Sequence, residues 1–337
     1  RLAHANQALF LRRSGYGLAA HARRYLRSRR PPAQARDVRS HYDLGNDFFS
    51  LWLDETMTYS CAYFERPDES LADAQRRKVD YSLRKLRPKA GQRLLDIGCG
   101  WGWLILHAAR HYGLQAVGIT LSEEQYRQVG ERVRAWGLQG QVQVRLQDYR
   151  DLAREGERFD RVVSIGMFEH VGSRHHRTYL ATLHRVLEPG GLALLHTITQ
   201  PREEPLNTWL ERYIFPGGEI PSLRRIVHLL PEFDFHLIDV ESLRLHYALT
   251  LDRWAERFAA QRQAIQERYG ERFTRAWWLY LVSCAHPFRH SGLNVPQLLY
   301  SKGLDNPQPV TRHHLFEGRP AGPGGPAGEP AGAASTA

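Results

Sequence analysis

The sequence predicts an α/β fold built on a doubly wound, mostly parallel sheet. Between residues 94 and 198, short apolar runs alternate with segments of helical periodicity, and this alternation is typical of βαβ units. A glycine turn at residues 98–102 follows the first apolar run. Polar segments follow the later runs, and sheets of this class bind ligands beyond the carboxyl ends of their strands. The pattern therefore predicts a binding site along one edge of the sheet.

Seven strands are expected in total. A helix over residues 70–86, with Ser70 as its N-cap, precedes the first strand, and Ser122 is expected to cap a helix after the second. The first five strands are predicted near residues 94–97, 114–120, 142–146, 161–165 and 192–198. Two more, at 235–240 and 241–247, are expected to extend the sheet as an antiparallel hairpin.

A long helical region rich in Trp, Tyr and Phe is predicted over residues 251–288. Beside a cofactor site, such a helical insertion indicates a pocket for a long apolar substrate. Ordinary core helices explain the same composition equally well. An aromatic segment at residues 41–64, before the first strand, predicts a lid over a ligand. A helix packed on the core is the alternative, and the two are compatible.

The bulk properties exclude several classes of protein. No run of 18 apolar residues occurs, so no membrane-spanning helix is expected. The polar, basic N-terminus does not resemble a signal peptide, and Arg1 leaves open that a longer chain precedes it. The three cysteines, Cys61, Cys99 and Cys284, are widely spaced. They argue against a disulfide framework and favour a cytoplasmic location. No metal site is predicted.

Basic charge is concentrated at the start of the chain. The formal net charge is +10, and residues 1–40 contain ten arginines with Asp37 as their one acid. Such an arm suits anionic lipid or nucleic acid, and a solvated helix face or linker is an equal alternative. We therefore expect a basic arm at 1–40 and a catalytic domain at 41–303. The tail at 304–337, rich in Gly, Pro and Ala, is predicted to be largely disordered.

The glycine turn indicates the type of ligand. Residues 94–102 read Leu-Leu-Asp-Ile-Gly-Cys-Gly-Trp-Gly, a short strand that leads into a turn and a helix. The Gly-x-Gly-x-Gly spacing differs from the Gly-x-Gly-x-x-Gly of dinucleotide folds. It therefore favours S-adenosylmethionine over NAD. A purely structural turn is the alternative for this stretch taken alone.

Taken together, the motifs resemble those of the cyclopropane-fatty-acid synthase family, which includes the mycolic acid cyclopropane synthases. The resemblance covers about residues 40–303 and rests on segments 41–47, 59–64, 94–102, 120–125, 166–170, 196–198, 213–218 and 246–247 and on Cys284. It implies a class I S-adenosylmethionine-dependent methyltransferase, which is Rossmann-like, with an N-terminal helical lid and a helical lipid-pocket insertion.

The resemblance also implies a set of contacts for S-adenosylmethionine. They lie in the lid, in the glycine turn, after the second strand and after the third. The expected cofactor-binding residues are Tyr59, Ser60, Asp96, Gly98, Cys99, Gly100, Trp101, Thr120, Leu121, Ser122, Gln125, Asp148 and Tyr149.

Members of the family hold a bicarbonate ion as the catalytic base, and the resemblance assigns it to Cys61, Glu169, His196, Ile198 and Tyr247. His196 and Tyr247 can donate hydrogen bonds to an anion, and backbone amides near Cys61 and Ile198 are expected to add more. The protonation state of Glu169 stays open. Cys284 matches a cysteine sometimes proposed as a nucleophile, but its apolar surroundings favour a pocket or core role.

The resemblance implies cyclopropanation of the unsaturated acyl chains of membrane phospholipids. Methyl transfer to the alkene would leave a carbocation, which the bicarbonate base deprotonates so that the ring closes. The expected partner is a membrane surface, bound peripherally through the basic arm, without specific nucleic acid. A homodimer stays open. Two alternatives remain: a methyltransferase that makes methyl-branched lipids or another small product, and a nucleic-acid-binding module.

Overall fold

The computed structural model describes residues 44–316. Its strands are β1 (Arg93–Ile97), β2 (Gln115–Thr120), β3 (Val142–Leu146), β4 (Phe159–Ile165), β5 (Leu187–His196), β6 (Phe235–Ser242) and β7 (Pro296–Lys302). They form one sheet in the order β3-β2-β1-β4-β5-β7-β6. Strands β1 to β5 are mutually parallel, and β7 is antiparallel to both of its neighbours. The predicted seven-stranded, mostly parallel sheet is therefore confirmed.

The helices lie between the strands and in a block after β6. In chain order they are α1 (Asn46–Ser50), α2 (Leu71–Leu86), α3 (Trp103–Tyr112), α4 (Glu123–Ala135), α5 (Tyr149–Leu152), α6 (His176–Val186), α7 (Thr208–Tyr213), α8 (Leu223–Leu229), α9 (Arg244–Ala260), α10 (Arg262–Tyr269) and α11 (Glu271–His290). The region predicted as one helical stretch at 251–288 thus consists of three helices. Short 3-10 turns lie at Phe168–His170, Leu230–Phe233 and His313–Leu315.

The predicted hairpin at 235–247 is wrong. Strand β6 runs through to Ser242, and α9 begins at Arg244, so the second half of the expected hairpin is helical. The antiparallel partner of β6 is β7, which comes after the whole helical block. The physical reason is periodicity, because the buried side chains Leu243, Leu251 and Trp254 recur at helical intervals that a strand could not bury on one face.

Three apolar clusters hold the fold together. Two lie on the sheet and its flanking helices, with residues such as Leu95 and Leu94 at their centres. The third is aromatic and joins residues 48–64 to the helical block. Phe48 and Trp52 are fully buried, and Trp52 packs edge-to-face on Trp254. The segment predicted as a lid is therefore also part of the core.

The glycine turn has the backbone shape that its composition requires. Gly98, Gly100 and Gly102 all have positive φ angles, of 84°, 54° and 79°, which residues with a Cβ rarely adopt. A Cβ on Gly102 would lie 2.8 Å from both methyl groups of Val129. The amides of Gly98 and Cys99 both donate to the Ile119 carbonyl at 3.0 Å. These bonds fasten the turn to the end of β2.

The boundaries predicted at residues 40 and 303 stay predictions. The basic arm lies outside the described residues, and so does most of the C-terminal tail. Among the described residues, those up to Asp305 belong to one compact unit, and the remainder belong to a second.

We expect Gly102→Ala to lower the free energy of unfolding by about 2–4 kcal/mol, because a strained positive φ adds to overpacking against Val129. Chemical denaturation followed by circular dichroism measures this. Gly130→Ala is the matched control, since Gly130 lies in α4 next to Val129 and its added Cβ would have Arg134 Nη1 nearest, at 3.8 Å. That variant should gain about 0.5–1 kcal/mol. Equal effects of the two substitutions would contradict the steric explanation.

Candidate functional site

A cavity lies over the glycine turn, at the carboxyl ends of β1, β2, β3 and β4; we call it the turn cavity. It brings together all but one of the cofactor-binding candidates. The residues from that set that line it are Tyr59, Ser60, Asp96, Gly98, Cys99, Gly100, Trp101, Thr120, Leu121, Gln125, Asp148 and Tyr149. Segments far apart in the chain thus converge at the sheet edge, where the strand pattern predicted a site. Their individual roles stay predictions.

Ser122 is the exception, because it does not line the turn cavity. Its hydroxyl accepts a hydrogen bond from the Gln125 amide at 3.3 Å and caps α4. The neighbouring Thr120 hydroxyl donates to the Gln125 side-chain oxygen at 2.7 Å. That bond leaves the Gln125 side-chain nitrogen as the end that can donate to a ligand. Ser122 therefore supports the site through the helix that carries Gln125.

The lid is fastened to the glycine turn by side-chain hydrogen bonds. The Trp101 indole donates to Asn46 Oδ1 at 2.6 Å, and Asn46 Nδ2 donates to Glu124 Oε2 at 2.9 Å. Tyr59 packs against Trp254, and its hydroxyl lies 2.8 Å from the hydroxyl of Tyr280. The lid residues that line the cavity are thereby held by both the turn and the helical block.

Lys78 is a functional candidate that the sequence reasoning missed. It is buried in α2, lines the turn cavity, and donates to Ser60 Oγ at 2.9 Å. Burial lowers the pKa of Lys78 to about 8. Burial also raises the pKa of Asp96 to about 7, although the Lys78 charge opposes that rise. The sequence did indicate that Lys78 is buried, since it follows the apolar Leu71 by seven residues and therefore lies on the same face of the helix.

The turn cavity fits a nucleoside that carries an amino-acid tail. An added Cβ on Gly100 would meet nothing within 4 Å, so bare backbone faces the open space. Asp96 supplies a carboxyl group beside that backbone, and Gln125 supplies an amide. The Tyr149 hydroxyl is buried and has no partner among residues 44–316, which leaves it as a donor for a bound ring. These are the groups that S-adenosylmethionine requires.

A second, larger cavity of about 850 Å³ opens beside the first; we call it the apolar cavity. Its size falls in the range of small-molecule sites. All six catalytic candidates line it, namely Cys61, Glu169, His196, Ile198, Tyr247 and Cys284. Its walls are largely apolar and include Leu206, Leu210, Phe215, Leu251, Phe288, Leu293 and Val295. Tyr59, Ser60, Gly166 and His170 line both cavities, which therefore meet there.

Two polar groups at the closed end of the apolar cavity lack part of their expected partners. Glu169 Oε1 accepts from the Ile198 amide at 2.6 Å, whereas Oε2 is buried without a partner among the described residues. His196 Nδ1 lies 3.1 Å from Gln297 Nε2, and His196 Nε2 has no partner in the described chain. Since an amide nitrogen only donates, Nδ1 accepts and Nε2 carries the proton. An N–H donor and a carboxylate oxygen are thus left without protein partners.

Gln297 was also missed by the sequence reasoning. It lies on β7, a strand that the sequence analysis did not predict, and it donates to Ser82 as well as contacting His196. No motif marks it, because its neighbours in the chain read as an ordinary buried strand.

Burial shifts the pKa of each ionisable group in this cluster in the direction of its uncharged form. It lowers the pKa of His196 well below the usual range, so the imidazole is neutral at pH 7. It raises the pKa of Glu169, against the opposing hydrogen bond from Ile198, and it raises the pKa of Tyr247 and of Cys61. Burial raises the pKa of Cys284 to about 12. Cys284 is therefore a thiol rather than a thiolate nucleophile.

The expectation that backbone amides near Cys61 and Ile198 would donate to an anion needs correction. The Ile198 amide already donates to Glu169. The amide of Ala62, next to Cys61, donates to Thr250 Oγ1 at 3.0 Å. These two amides are therefore already engaged, and a donor at the amide of Cys61 itself stays a prediction. Among the side chains, His196 Nε2 is the clearest donor for an anion.

Comparison with known proteins decides the family. The model of the mycolic acid cyclopropane synthetase family matches residues 29–298. The chain belongs to this family. A "Probable fatty acid methyltransferase" of Pseudomonas putida is 44% identical over 300 residues, which cover 86% of this chain and 76% of that protein. The cyclopropane-fatty-acyl-phospholipid synthase of Escherichia coli K12 is 43% identical over 275 residues, which cover 81% and 70%.

A solved member of the family confirms the architecture. The crystal structure of mycolic acid cyclopropane synthase CmaA1, complexed with SAH and CTAB, superposes with a TM-score of 0.75 at 37% identity. The alignment covers 80% of this chain and 98% of that one. The predicted fold, that of S-adenosylmethionine-dependent methyltransferases, and the predicted enzyme family are both confirmed.

We expect Lys78→Met to weaken binding of S-adenosylhomocysteine about tenfold, measured by isothermal titration calorimetry at pH 7. Loss of the buried cation removes the opposing effect on the pKa of Asp96, so that carboxyl becomes neutral and loses a charge-assisted interaction. Lys85→Met is the matched control, because Lys85 is equally buried in α2 but pairs with Glu241 away from the turn cavity. An unchanged dissociation constant for Lys78→Met would remove Lys78 from the site.

Proposed function

We propose that this chain transfers a one-carbon unit from S-adenosylmethionine to the cis double bond of unsaturated phospholipid acyl chains and closes a cyclopropane ring. The observation that carries the proposal is the meeting of the two cavities. One has the groups for a nucleoside with an amino-acid tail, the other has apolar walls, and they share Tyr59, Ser60, Gly166 and His170. A methyl donor and an alkene could therefore meet at this junction.

The bonds that break and form in this reaction determine what the protein must supply. The carbon–sulfur bond, the π bond of the alkene and one carbon–hydrogen bond of the transferred methyl break, two carbon–carbon bonds form, and the released proton goes to a base. When bound, S-adenosylmethionine supplies the electrophilic methyl group. The protein has to hold the alkene in line, exclude water that would capture a cationic carbon, and provide a base. The apolar walls suit the first two tasks, and the polar cluster at Glu169 and His196 suits the third.

We propose bicarbonate as the base, held in the polar cluster. His196 Nε2–H points into the cavity without a protein partner, and the Tyr247 phenol, kept protonated by burial, is a second donor. Burial raises the pKa of Glu169, so its carboxyl can hold a proton and donate through Oε2. Three neutral donors around a small anion satisfy its charge while the surrounding walls keep water out.

A methyl-branched product is the second candidate. It shares the cofactor and the methyl transfer, and it differs in the fate of the cationic carbon. The Pseudomonas putida relative is named as a fatty acid methyltransferase at an identity similar to that of the cyclopropane synthase. Sequence similarity alone therefore does not choose between these products. Ring closure and an unsaturated branch both require loss of a proton from the cation, whereas a saturated methyl branch also requires a hydride donor. The polar cluster therefore favours a product formed by proton loss, of which the cyclopropane ring is one.

We propose that the enzyme works on bilayer phospholipid from the cytoplasmic side. Among residues 44–316 there is no helix with the length and apolarity that a bilayer crossing needs. The basic arm at 1–40, with its ten arginines, remains the predicted peripheral membrane anchor and lies outside the described residues. A homodimer also remains open.

The direct test is expression in a bacterial host that lacks cyclopropane lipids, followed by mass spectrometry of the fatty acid methyl esters. We expect monounsaturated chains to gain the mass of one CH2 group and to lose the double bond, with a ring confirmed by NMR. A methyl-branched chain would support the second candidate. An unchanged lipid profile, with the protein shown to be folded and to bind S-adenosylhomocysteine, would contradict both lipid functions.

A further inference from the structure

The apolar cavity reaches solvent at the exposed lining residues Arg202 and Glu204, which we take as its mouth. Beside this mouth lies a groove rich in arginine, which we call the arginine groove. It is lined by Ser173, Arg174, Arg177, Glu203, Arg224, Arg225, His228 and Leu229. Four arginines thus face one glutamate, with a histidine next to them. This excess of positive charge lies within the described residues and is separate in sequence from the basic arm at 1–40.

Part of the groove is held rigid, and part extends into solvent. Arg225 donates to the Ser173 carbonyl at 3.0 Å and lies 3.8 Å from Glu203. Arg177 forms an ion pair with Glu232. The side chains of Arg174 and Arg224 are exposed. The fixed pairs shape the groove, and the exposed arginines are placed to meet an anionic surface.

The groove is structurally continuous with the catalytic cluster. Glu203 accepts from Ser222 at 2.8 Å, and its chain neighbours Arg202 and Glu204 line the apolar cavity. Glu219 links the two places directly. Its amide donates to the Glu169 carbonyl at 2.9 Å, and its carboxylate accepts from the Ser173 amide at 3.1 Å. A surface bound in the groove would therefore lie next to the cavity mouth.

Helix α7 adds apolar surface at the same mouth. None of its residues is buried. Leu210 lines the apolar cavity, and Tyr213 is 46% exposed next to Trp209. Trp209 is half-buried against the aromatic core, so Tyr213 is the exposed aromatic side chain of α7. An exposed tyrosine beside basic residues is typical of segments that lie in the interfacial layer of a bilayer.

We infer that the arginine groove and α7 together form the docking surface for an anionic phospholipid bilayer. Phosphate groups would bind Arg174 and Arg224 while Tyr213 enters the interfacial layer. The cavity mouth then faces the acyl chains. This inference rests on the proposed phospholipid substrate, and it places a membrane contact in the catalytic domain itself. An acidic protein is a different partner, and the test below separates it.

Hydrogen exchange on the full chain tests the surface. The probe is vesicles of equal parts dioleoyl-phosphatidylglycerol and dioleoyl-phosphatidylcholine, with pure dioleoyl-phosphatidylcholine as the neutral comparison. We expect anionic vesicles to slow exchange in peptides that cover residues 172–177 and 203–229, and neutral vesicles to do so much less. Protection confined to residues 1–40 would overturn the inference and leave the arm as the membrane contact.

A charge-removal variant supplies the second readout. We expect R174Q/R224Q to bind anionic vesicles at least tenfold more weakly in cosedimentation, since each arginine near an anionic surface contributes roughly fivefold. R134Q/R158Q is the matched control, because both arginines are exposed and lie on the amino-end side of the parallel strands, in the last turn of α4 and just before β4. Equal loss in the two variants would mean a general charge effect and would contradict a defined surface.

Activity separates this inference from the proposed function. For R174Q/R224Q we expect the rate on anionic vesicles to fall relative to the rate on the same lipid in neutral detergent micelles. If the wild-type chain modifies no lipid in either form but its vesicle binding still depends on these arginines, the proposed function fails and the docking surface stands. If the wild-type chain is active and R174Q/R224Q keeps both its binding and its rate ratio, the docking surface fails alone. Dependence of binding on a carrier protein rather than on lipid would also overturn it.

Discussion

The structure depends on shielding a few polar groups from solvent at the carboxyl ends of β4 and β5. Glu169 Oε2 and His196 Nε2 are buried without partners among the described residues, and each such group costs about 1–3 kcal/mol. A fold tolerates that cost where surrounding structure holds the groups in place. Here Ile198 fixes one carboxylate oxygen and Gln297 fixes the imidazole tautomer. The antiparallel strand β7 supplies Gln297, which lies directly opposite His196 on β5, so the strand next to β5 positions the proposed catalytic cluster.

The same requirement explains the helical block and the lid. A cationic carbon in the apolar cavity would survive only where water is excluded, and α9 with α11 provides that enclosure through Tyr247, Tyr280 and Cys284. The lid cannot be a loose flap, because Phe48 and Trp52 are fully buried against these helices. In the turn cavity, Lys78 and Asp96 are both buried, and the charge of each opposes the pKa shift that burial causes in the other. Lys78 also donates to Ser60. The lid residues thus take part both in closing the cavities and in holding the buried charged groups.

Much of this organisation could be predicted from the sequence. The alternation of strands and helices and the glycine turn are local signals, and they predicted the sheet and the edge at which a site would lie. The family resemblance supplied the cofactor candidates, of which twelve line one cavity. The prediction failed where long-range pairing decides the outcome. Strand β7 joins the sheet only after the helical block. The predicted partner strand for β6 was therefore wrong, residues 244–247 are helical, and Gln297 was missed. Lys78 was missed because a lysine on an apolar helix face is ordinarily taken for a surface residue. The arginine groove is assembled from three separate segments and carries no motif.

The most direct measurement follows turnover on an unsaturated phospholipid while bicarbonate is removed and restored. The protein would be dialysed exhaustively against CO2-free buffer and assayed under inert gas. We expect the wild-type rate to fall severalfold and to recover when bicarbonate is added, because the proposed base is the bicarbonate ion that the polar cluster binds. Glu169→Leu, which removes the proposed donor, should bind S-adenosylhomocysteine normally and stay slow at every bicarbonate concentration. A wild-type rate that is unchanged without bicarbonate, or normal turnover by Glu169→Leu, would contradict the role assigned to this cluster.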